Sequence, residues 1–324
     1  MFNSRIFSTW FVLALLAWLF LFNMFASLGV LLANWYYPAV MVLGAFVAGL
    51  TPQGGGAVAF PALNIFLHID RVLARDFSMM IQSIGMTSAS IFILSRTGAV
   101  LKDFKPLLTF VPVCFAGFVT GMLALQAMPV FLIQAFFLSL SATFVIAYYV
   151  SSHRGSEDRL LVPSHLDTAW LWLTLFAGGM ITSLFGTGAD VLLYTQLITH
   201  FGMKEKSATY LSIILQAAIS ILGYGYRAVV DHGLTHYQIQ TWLCAYPVVL
   251  FMAPFGAYVL SKIEVDWMLI VIIVLNVFQM IYFNAINPSL EKLGTSSALC
   301  LVLGCIFFLL LRHMSNRRRV QAGN

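Results

Sequence analysis

The stretch Gly49-Leu50-Thr51-Pro52-Gln53-Gly54-Gly55-Gly56-Ala57-Val58-Ala59-Phe60-Pro61 interrupts a run of apolar sequence. Three adjacent glycines and two prolines are poor helix formers, yet membrane-length apolar sequence flanks them on both sides. In hydrocarbon an irregular backbone leaves N–H and C=O groups without partners, so such a break persists only where protein or a water-filled cavity surrounds it. A broken helix at membrane depth is therefore a candidate binding site.

The composition supports this setting. Of 324 residues, 60% are hydrophobic and 9% are charged, whereas soluble domains carry about a quarter charged. We expect an all-α polytopic membrane protein, a single transmembrane domain over 1–324. A net charge of +5 would suggest nucleic acid as partner in a soluble chain. Here the basic residues fall in short loops and the tail, as membrane topology requires, so the expected partner is the lipid bilayer and no nucleic acid. Cys114, Cys244, Cys300 and Cys305 lie within apolar runs and read as small buried hydrophobes. No disulfide framework, metal-ligand spacing or cofactor motif is visible, and no loop has room for a soluble catalytic domain.

Apolar runs predict full spans near 8–31, 76–95, 106–125, 129–150, 207–224, 239–260, 267–286 and 295–312, each close to the roughly 20 residues that cross a bilayer. The first is read as a retained span, too long for a signal-peptide core. Segments 37–69 and 169–201 fit poorly as single spans, since each would make a helix of about 50 Å against a core of about 30 Å. Split at their glycines, each yields pieces of 12–16 residues. That length suits a re-entrant hairpin of half-helices, or a broken single span.

Charge placement favours hairpins. With both segments returning to their starting side and the N-terminus inside, the cytoplasmic face collects 13 of the 17 Lys and Arg: Arg5, Arg96, Lys102, Lys105, Arg154, Arg159, Lys204, Lys206, Lys262, Arg312, Arg317, Arg318 and Arg319. Arg71, Arg75, Arg227 and Lys292 remain outside. If each segment crosses once, the split falls to ten against seven, and the positive-inside rule prefers the first arrangement. Both termini are then cytoplasmic. Trp35, Tyr36 and Tyr37 read as an aromatic belt at one bilayer surface.

The two halves repeat. A shift of 134 positions pairs Leu50 with Leu184, Gly54 with Gly188, Ser78 with Ser212 and Gln82 with Gln216. One further residue of slip pairs Pro112 with Pro247 and Gly121 with Gly256. Repeat one covers 37–150 and repeat two 169–286, with additional spans at 1–33 and 295–313. Three spans separate the two breaks, so the second repeat would be inverted relative to the first, a recurring transporter architecture.

These residues resemble the TauE/SafE sulfite-exporter family, also called the TSUP transporters. That family carries twice a pattern like G-x-x-x-G-x-x-G-x-G-G-G, then an apolar run with Pro and a helix rich in small and polar residues. Gly49 to Pro61 followed by Ser78 and Gln82 is similar to the first copy, and Gly179 to Gly188 followed by Ser212 and Gln216 to the second. The likeness covers about 37–285 and includes the Pro112–Gly121 and Pro247–Gly256 helices. Pro52-Gln53 and Ala189-Asp190 depart from the glycine-rich pattern. The resemblance implies a secondary-active permease, in a bacterial inner membrane, for sulfite, thiosulfate, a sulfonate or a carboxylate. The Asp190 departure leaves the detailed substrate and coupling open.

Read as chemistry, Gln53, Gly54, Gly55, Gly56 and Ala57 would offer an anion backbone N–H groups at the start of a half-helix, with no Cβ in the way. Close helix packing through small residues is the alternative use of the glycines. Asp190 aligns with Gly56 and is the one acidic residue expected deep in the membrane. An ionisable group there marks a pathway, a proton relay or an ion partner, and burial favours the neutral form of a carboxyl, so H⁺ is a candidate coupling ion. The alternative for Asp190 is a helix N-cap. Gln82 and Gln216, with Ser78, Ser212, Thr187 and Gly188, complete the candidate substrate site. The two glutamines could equally be interhelical glue.

Two other classes compete. In a cation-selective permease or channel, Asp190 would be a cation ligand. An intramembrane aspartyl protease needs Gly-x-Gly-Asp and a second aspartate. Here Gly186-Thr187-Gly188-Ala189-Asp190 has one residue too many, and no partner aspartate is expected. No P-loop, H-E-x-x-H or G-x-S-x-G occurs, so neither an enzyme nor an ATP-driven pump is expected.

Overall fold

The computed structural model describes residues 4–96, 107–150, 155–160, 162, 164–286 and 288–322. They form α1 (Arg5–Phe25), α2 (Leu28–Ala33), α3 (Tyr36–Leu50), α4 (Gly56–Pro61), α5 (Arg71–Arg96), α6 (Leu107–Ala124), α7 (Val130–Val150), α8 (His165–Phe185), α9 (Ala189–Thr199), α10 (Glu205–Gly225), α11 (His236–Leu260), α12 (Val265–Ala285) and α13 (Leu290–Ala322). π-Helical turns extend α4 through Ala62–Phe66 and α10 through Tyr226–Val230. The fold is all-helical, with no strand among the described residues.

Both segments singled out in the sequence break at their glycines. α3 ends at Leu50 and α4 begins at Gly56; α8 ends at Phe185 and α9 begins at Ala189. Gly54 and its counterpart Gly188 both take positive φ, +65° and +135°, a region that glycine enters without steric cost.

Eight helices among the described residues are long and apolar enough to cross a membrane. Seven match expected spans; the 106–125 run forms the 18-residue α6, and His165–Phe185 is a further span-length helix of 21 residues. It exceeds the expected half-helix because Ser164 caps it, its hydroxyl accepting from Asp167 N at 3.1 Å. The cap draws His165, Asp167 and Thr168 into the first turn, where an acidic side chain suits the helix dipole. The 8–31 run divides at Ala26 and Ser27 into α1 and α2. α13 continues past the expected end at 312 to Ala322. Lys102, Lys105 and Arg154, counted among the inner charges, lie outside the described residues.

The chain divides into two compact units. The first comprises Met1–Gln126, Pro163–Tyr194 and Thr209–Lys262. Within it α3 packs on α11, α6 on α8, and α5 on α11 and α4. These crossings are close enough to exclude a Cβ. One added at Gly256 would strike the Phe46 carbonyl and sit 3.0 Å from Leu50 N, and one at Gly121 would sit 2.9 Å from Met180 Cα. Small residues allow such backbone approach in membrane helices. Tyr37 is 2% exposed and its ring centroid lies 4.7 Å from that of Phe77. It belongs to this core and not to a surface belt, whereas Trp35 is exposed. The exposed face of α1, with Val12, Leu13, Leu16 and Phe20, is too apolar to face water and suits lipid.

The second unit comprises Ala127–Val162, Thr195–Ala208 and Ile263–Asn324. In it α7 packs on α12 and α13, with Phe144 edge-on to Phe307 at 5.4 Å. Tyr148 donates to Glu205 Oε1 at 2.5 Å. Cys114 and Cys244 are buried as expected, but Cys300 is half-buried and Cys305 exposed on α13. Thiols are weakly polar and sit at an apolar surface without penalty.

Candidate functional site

The two glycine breaks meet inside the first unit. Thr187, between α8 and α9, donates its hydroxyl to the carbonyl of Gln53, between α3 and α4, at 3.3 Å. Thr51, Gln53, Gly54, Gly55, Gly56 and Ala57 are buried, as are Thr187, Gly188 and Asp190.

Helix α5 runs beside the crossing and supplies Gln82. Its Nε2 donates to Ser78 O at 2.9 Å and, across the chain, to Gly186 O at 2.8 Å. From α10, Gln216 Nε2 donates to the same Gly186 carbonyl at 3.2 Å and to Ser220 Oγ at 3.3 Å. Residues 134 apart thus converge on one oxygen, which a strict two-fold would not produce. The carbonyl oxygens Oε1 of Gln82 and Gln216, both amide atoms of Gln53, and Ser212 Oγ are buried without a hydrogen-bond partner. Buried polar atoms are seldom left so.

Asp190 lies in the first turn of α9, fully buried. Its Oδ1 accepts from the backbone N–H of Gly188 and of Val191, each at 3.0 Å. That oxygen serves the helix start in the manner of a cap. The other, Oδ2, has only the Thr187 hydroxyl at 3.3 Å, which is also 3.3 Å from Oδ1. Thr182 completes the helix start, its Oγ1 accepting from Ala189 N at 3.0 Å.

A Cβ on Gly54 would collide with Asp190 Oδ2 and lie 2.6 Å from Gln82 Oε1 and 2.7 Å from Thr187 Oγ1. One on Gly56 would lie 2.7 Å from Gln82 Nε2 and 2.8 Å from Thr187 Cβ. The glycines admit the opposing break as much as they could admit a ligand. A small cavity of about 10 Å³ is lined by Gly55 and Gln82 together with Met41, Ala45, Met86 and Val249.

The structure thus brings Gln53, Gly54, Gly56, Gln82, Thr187, Asp190 and Gln216 together. Ser78 donates to Ala74 O in its own helix at 2.8 Å, and Ser83 to Met80 O at 2.7 Å, so neither hydroxyl proton is directed at the crossing.

Asp190 is not the only buried acid among the described residues. Asp76 on α5 is also fully buried, with Arg75 and Arg227 at 3% and 6% exposure. Arg75 Nη2 lies 2.7 Å from Asp76 Oδ1, Arg227 Nη2 2.7 Å from Oδ2, and Gln238 Nε2 donates to Oδ2 at 2.9 Å. Arg75 also donates to Gln126 Oε1 at 2.6 Å, and Arg227 pairs with Asp231. The charge count put both arginines on the outer side, each near the end of an apolar run. Their partners are up to 151 positions away, and only the adjacency of Arg75 to Asp76 hinted at pairing.

A family model, Sulfite exporter TauE/SafE, matches residues 36–283. The chain belongs to the TauE/SafE family of sulfite exporters. No curated protein and no solved structure gives a significant match. The match opens at the first residue of α3 and closes within α12, so both breaks and both glutamines lie inside it, and α1, α2 and α13 lie outside. TauE/SafE proteins are membrane transporters, not enzymes, and small anions are the substrates that the family suggests.

Proposed function

We propose that the chain is a secondary-active permease for a small anion of the sulfur oxyanion, organosulfonate or carboxylate class, and that the meeting of the two breaks is its transport site. The observation that carries this is the crossing itself: Gln53 and Thr187 in contact, with buried unpartnered amide groups of Gln53, Gln82 and Gln216 around them. The bare donor, Gln53 Nε2, is available to an anion, and the bare oxygens to a cation that accompanies it. Ser78, Ser212, Gly55, Ala57 and Gly188 belong to the same proposed site.

We read the halves as inverted repeats, 37–150 and 169–286, within one transmembrane domain, and the breaks as re-entrant hairpins. The exchange of partners supports this: α3 of the first half packs on α11 of the second, and α8 of the second on α6 of the first. Gly121 against Met180 and Gly256 against Phe46 are the same contact under shifts of 135 and 134. Both termini are proposed to be cytoplasmic, in a bacterial inner membrane. Asp190 takes up the coupling cation, a proton in the simplest case, because a carboxylate this close would otherwise repel an anion.

Uptake of radiolabelled sulfite into proteoliposomes tests the proposal. Saturable flux, competed by thiosulfate or sulfoacetate and uncoupled from the driving gradient in Asp190→Asn, is expected. Unsaturable conductance of ions would replace the permease with a channel.

A further inference from the structure

We infer that the crossing of the two breaks binds a sodium ion, with Asp190, Gln82 and Thr187 supplying its oxygen ligands. The site stands on geometry, while its role as coupling ion rests on the permease proposed above.

The orientation of Gln82 is set by its neighbours. Nε2 faces two carbonyl oxygens, Ser78 O and Gly186 O; reversing the amide would set Oε1 against both. Oε1 therefore points away from them, and it has no hydrogen-bond partner. It borders the face of Gly54 together with Asp190 Oδ2 and Thr187 Oγ1. Three oxygens thus converge on one point, the Cβ position of Gly54, and the only hydrogen among the three is that of Thr187. This hydroxyl lies 3.3 Å from each of Gln53 O, Asp190 Oδ1 and Asp190 Oδ2, and it can satisfy one at a time.

Acceptors facing acceptors in a buried site repel one another unless a positive species lies between them. The balance of donors and acceptors indicates which species. Among the amide atoms without partners at the crossing, three are oxygens (Gln53, Gln82, Gln216) and one is a nitrogen (Gln53 Nε2). The unpartnered side-chain atoms are mainly acceptors, which suit a cation; the backbone N–H groups beside them are left for an anion. A proton on Asp190 would serve a single acceptor, whereas a hard cation draws on several oxygens at once. Arg75 and Arg227 cannot serve, because both are bonded to Asp76.

Charge and size narrow the choice. One carboxylate calls for a monovalent ion, and packing too tight for a methyl group at Gly54 admits sodium, the smaller ion, with less displacement than potassium. Interrupted helices that coordinate coupling ions through oxygens at their broken ends are a known device of secondary transporters. Once sodium cancels the charge of Asp190, an anion can approach the crossing without repulsion, and the two ions travel together.

The test is binding of radiolabelled sodium to the purified full-length protein at fixed pH, with choline as the balancing cation, alongside sulfite exchange in proteoliposomes. Saturable binding is expected, weakened at least about tenfold in Gln82→Leu and in Thr187→Val and retained in Thr187→Ser, which keeps the hydroxyl. Potassium competing as well as sodium would overturn the inference, as would full sulfite uptake driven by a pH gradient without sodium. No saturable sodium binding by protein that still exchanges sulfite would remove the ion site and leave the permease. Sodium binding by protein that carries no anion would keep the site and remove the permease.

Discussion

Thr187 donates its hydroxyl to the carbonyl of Gln53, its own counterpart 134 positions earlier in the chain. On the proposed two-fold, a residue that touches its counterpart lies at the axis, so this contact marks where the two halves meet. Thr187→Val removes the hydroxyl shared by Gln53 and Asp190, leaving buried acceptors bare at about 1–3 kcal/mol. We expect a lower Tm in detergent and sulfite exchange slowed about tenfold or more, with Thr187→Ser near wild type. Equal behaviour of the two variants would detach the hydroxyl from transport.

The three adjacent glycines should not respond alike. Gly54 has positive φ, and a Cβ at Gly54 or Gly56 would meet the opposing break at under 3 Å. A Cβ at Gly55 would meet Ala48 Cβ, Gly44 O and Met41 Cε, each at 3.5 Å, ordinary contact distance, and its φ of −69° suits any residue. Gly54→Ala and Gly56→Ala are expected to abolish sulfite exchange while Gly55→Ala retains it. Three equal losses would mean that the triplet acts through backbone flexibility, not through the crossing.

Asp76 is the anchor of a buried ionic network, and removing one partner of such a group costs about 3–5 kcal/mol. Asp76→Asn leaves Arg75 and Arg227 facing each other without the shared carboxylate. A marked fall in Tm is expected, and it should be nearly insensitive to salt, because buried pairs are poorly screened. A salt-dependent effect, or none, would place the network in contact with water.

Gly121 and Gly256 occupy matching crossings, each without room for a Cβ, while Gly225 has nothing within 4 Å of its Cβ position. Gly121→Leu or Gly256→Leu should prevent folding or sharply reduce expression in membranes, and Gly225→Leu should be tolerated. Overpacking of a filled core typically costs about 1–3 kcal/mol or more, and backbone contacts leave no flexible side chain to yield. A membrane-expression assay separates the outcomes.

Much was legible before any coordinates. The membrane class follows from composition, since 60% hydrophobic sequence has nowhere else to be buried. The breaks at 51–55 and 186–188 follow from local chemistry: clustered glycines end the helices there, whereas single residues such as Pro112 and Gly256 stay within α6 and α11. The likeness of the halves was readable because repeats keep their spacing. Boundaries were less so. α8 begins at His165 because a capping serine recruits polar residues that hydropathy alone would leave in a loop.

By itself, then, the sequence determined a helical membrane protein of the TauE/SafE kind, with two interrupted segments and an acidic residue, Asp190, in the second. Those properties are local or additive, and each residue contributes its apolarity or backbone freedom whatever its neighbours. Only the tertiary structure decided that the interruptions touch, that Gln82 and Gln216 share Gly186 O, that one oxygen of Asp190 serves the helix while the other faces a glutamine oxygen, and that Asp76 holds two arginines. The contacts that join segments, Gln216 to Gly186 O, Thr187 to Gln53 O and Arg227 to Asp76, span 30, 134 and 151 positions along the chain. Spacing along a chain carries no such information until packing brings the segments together.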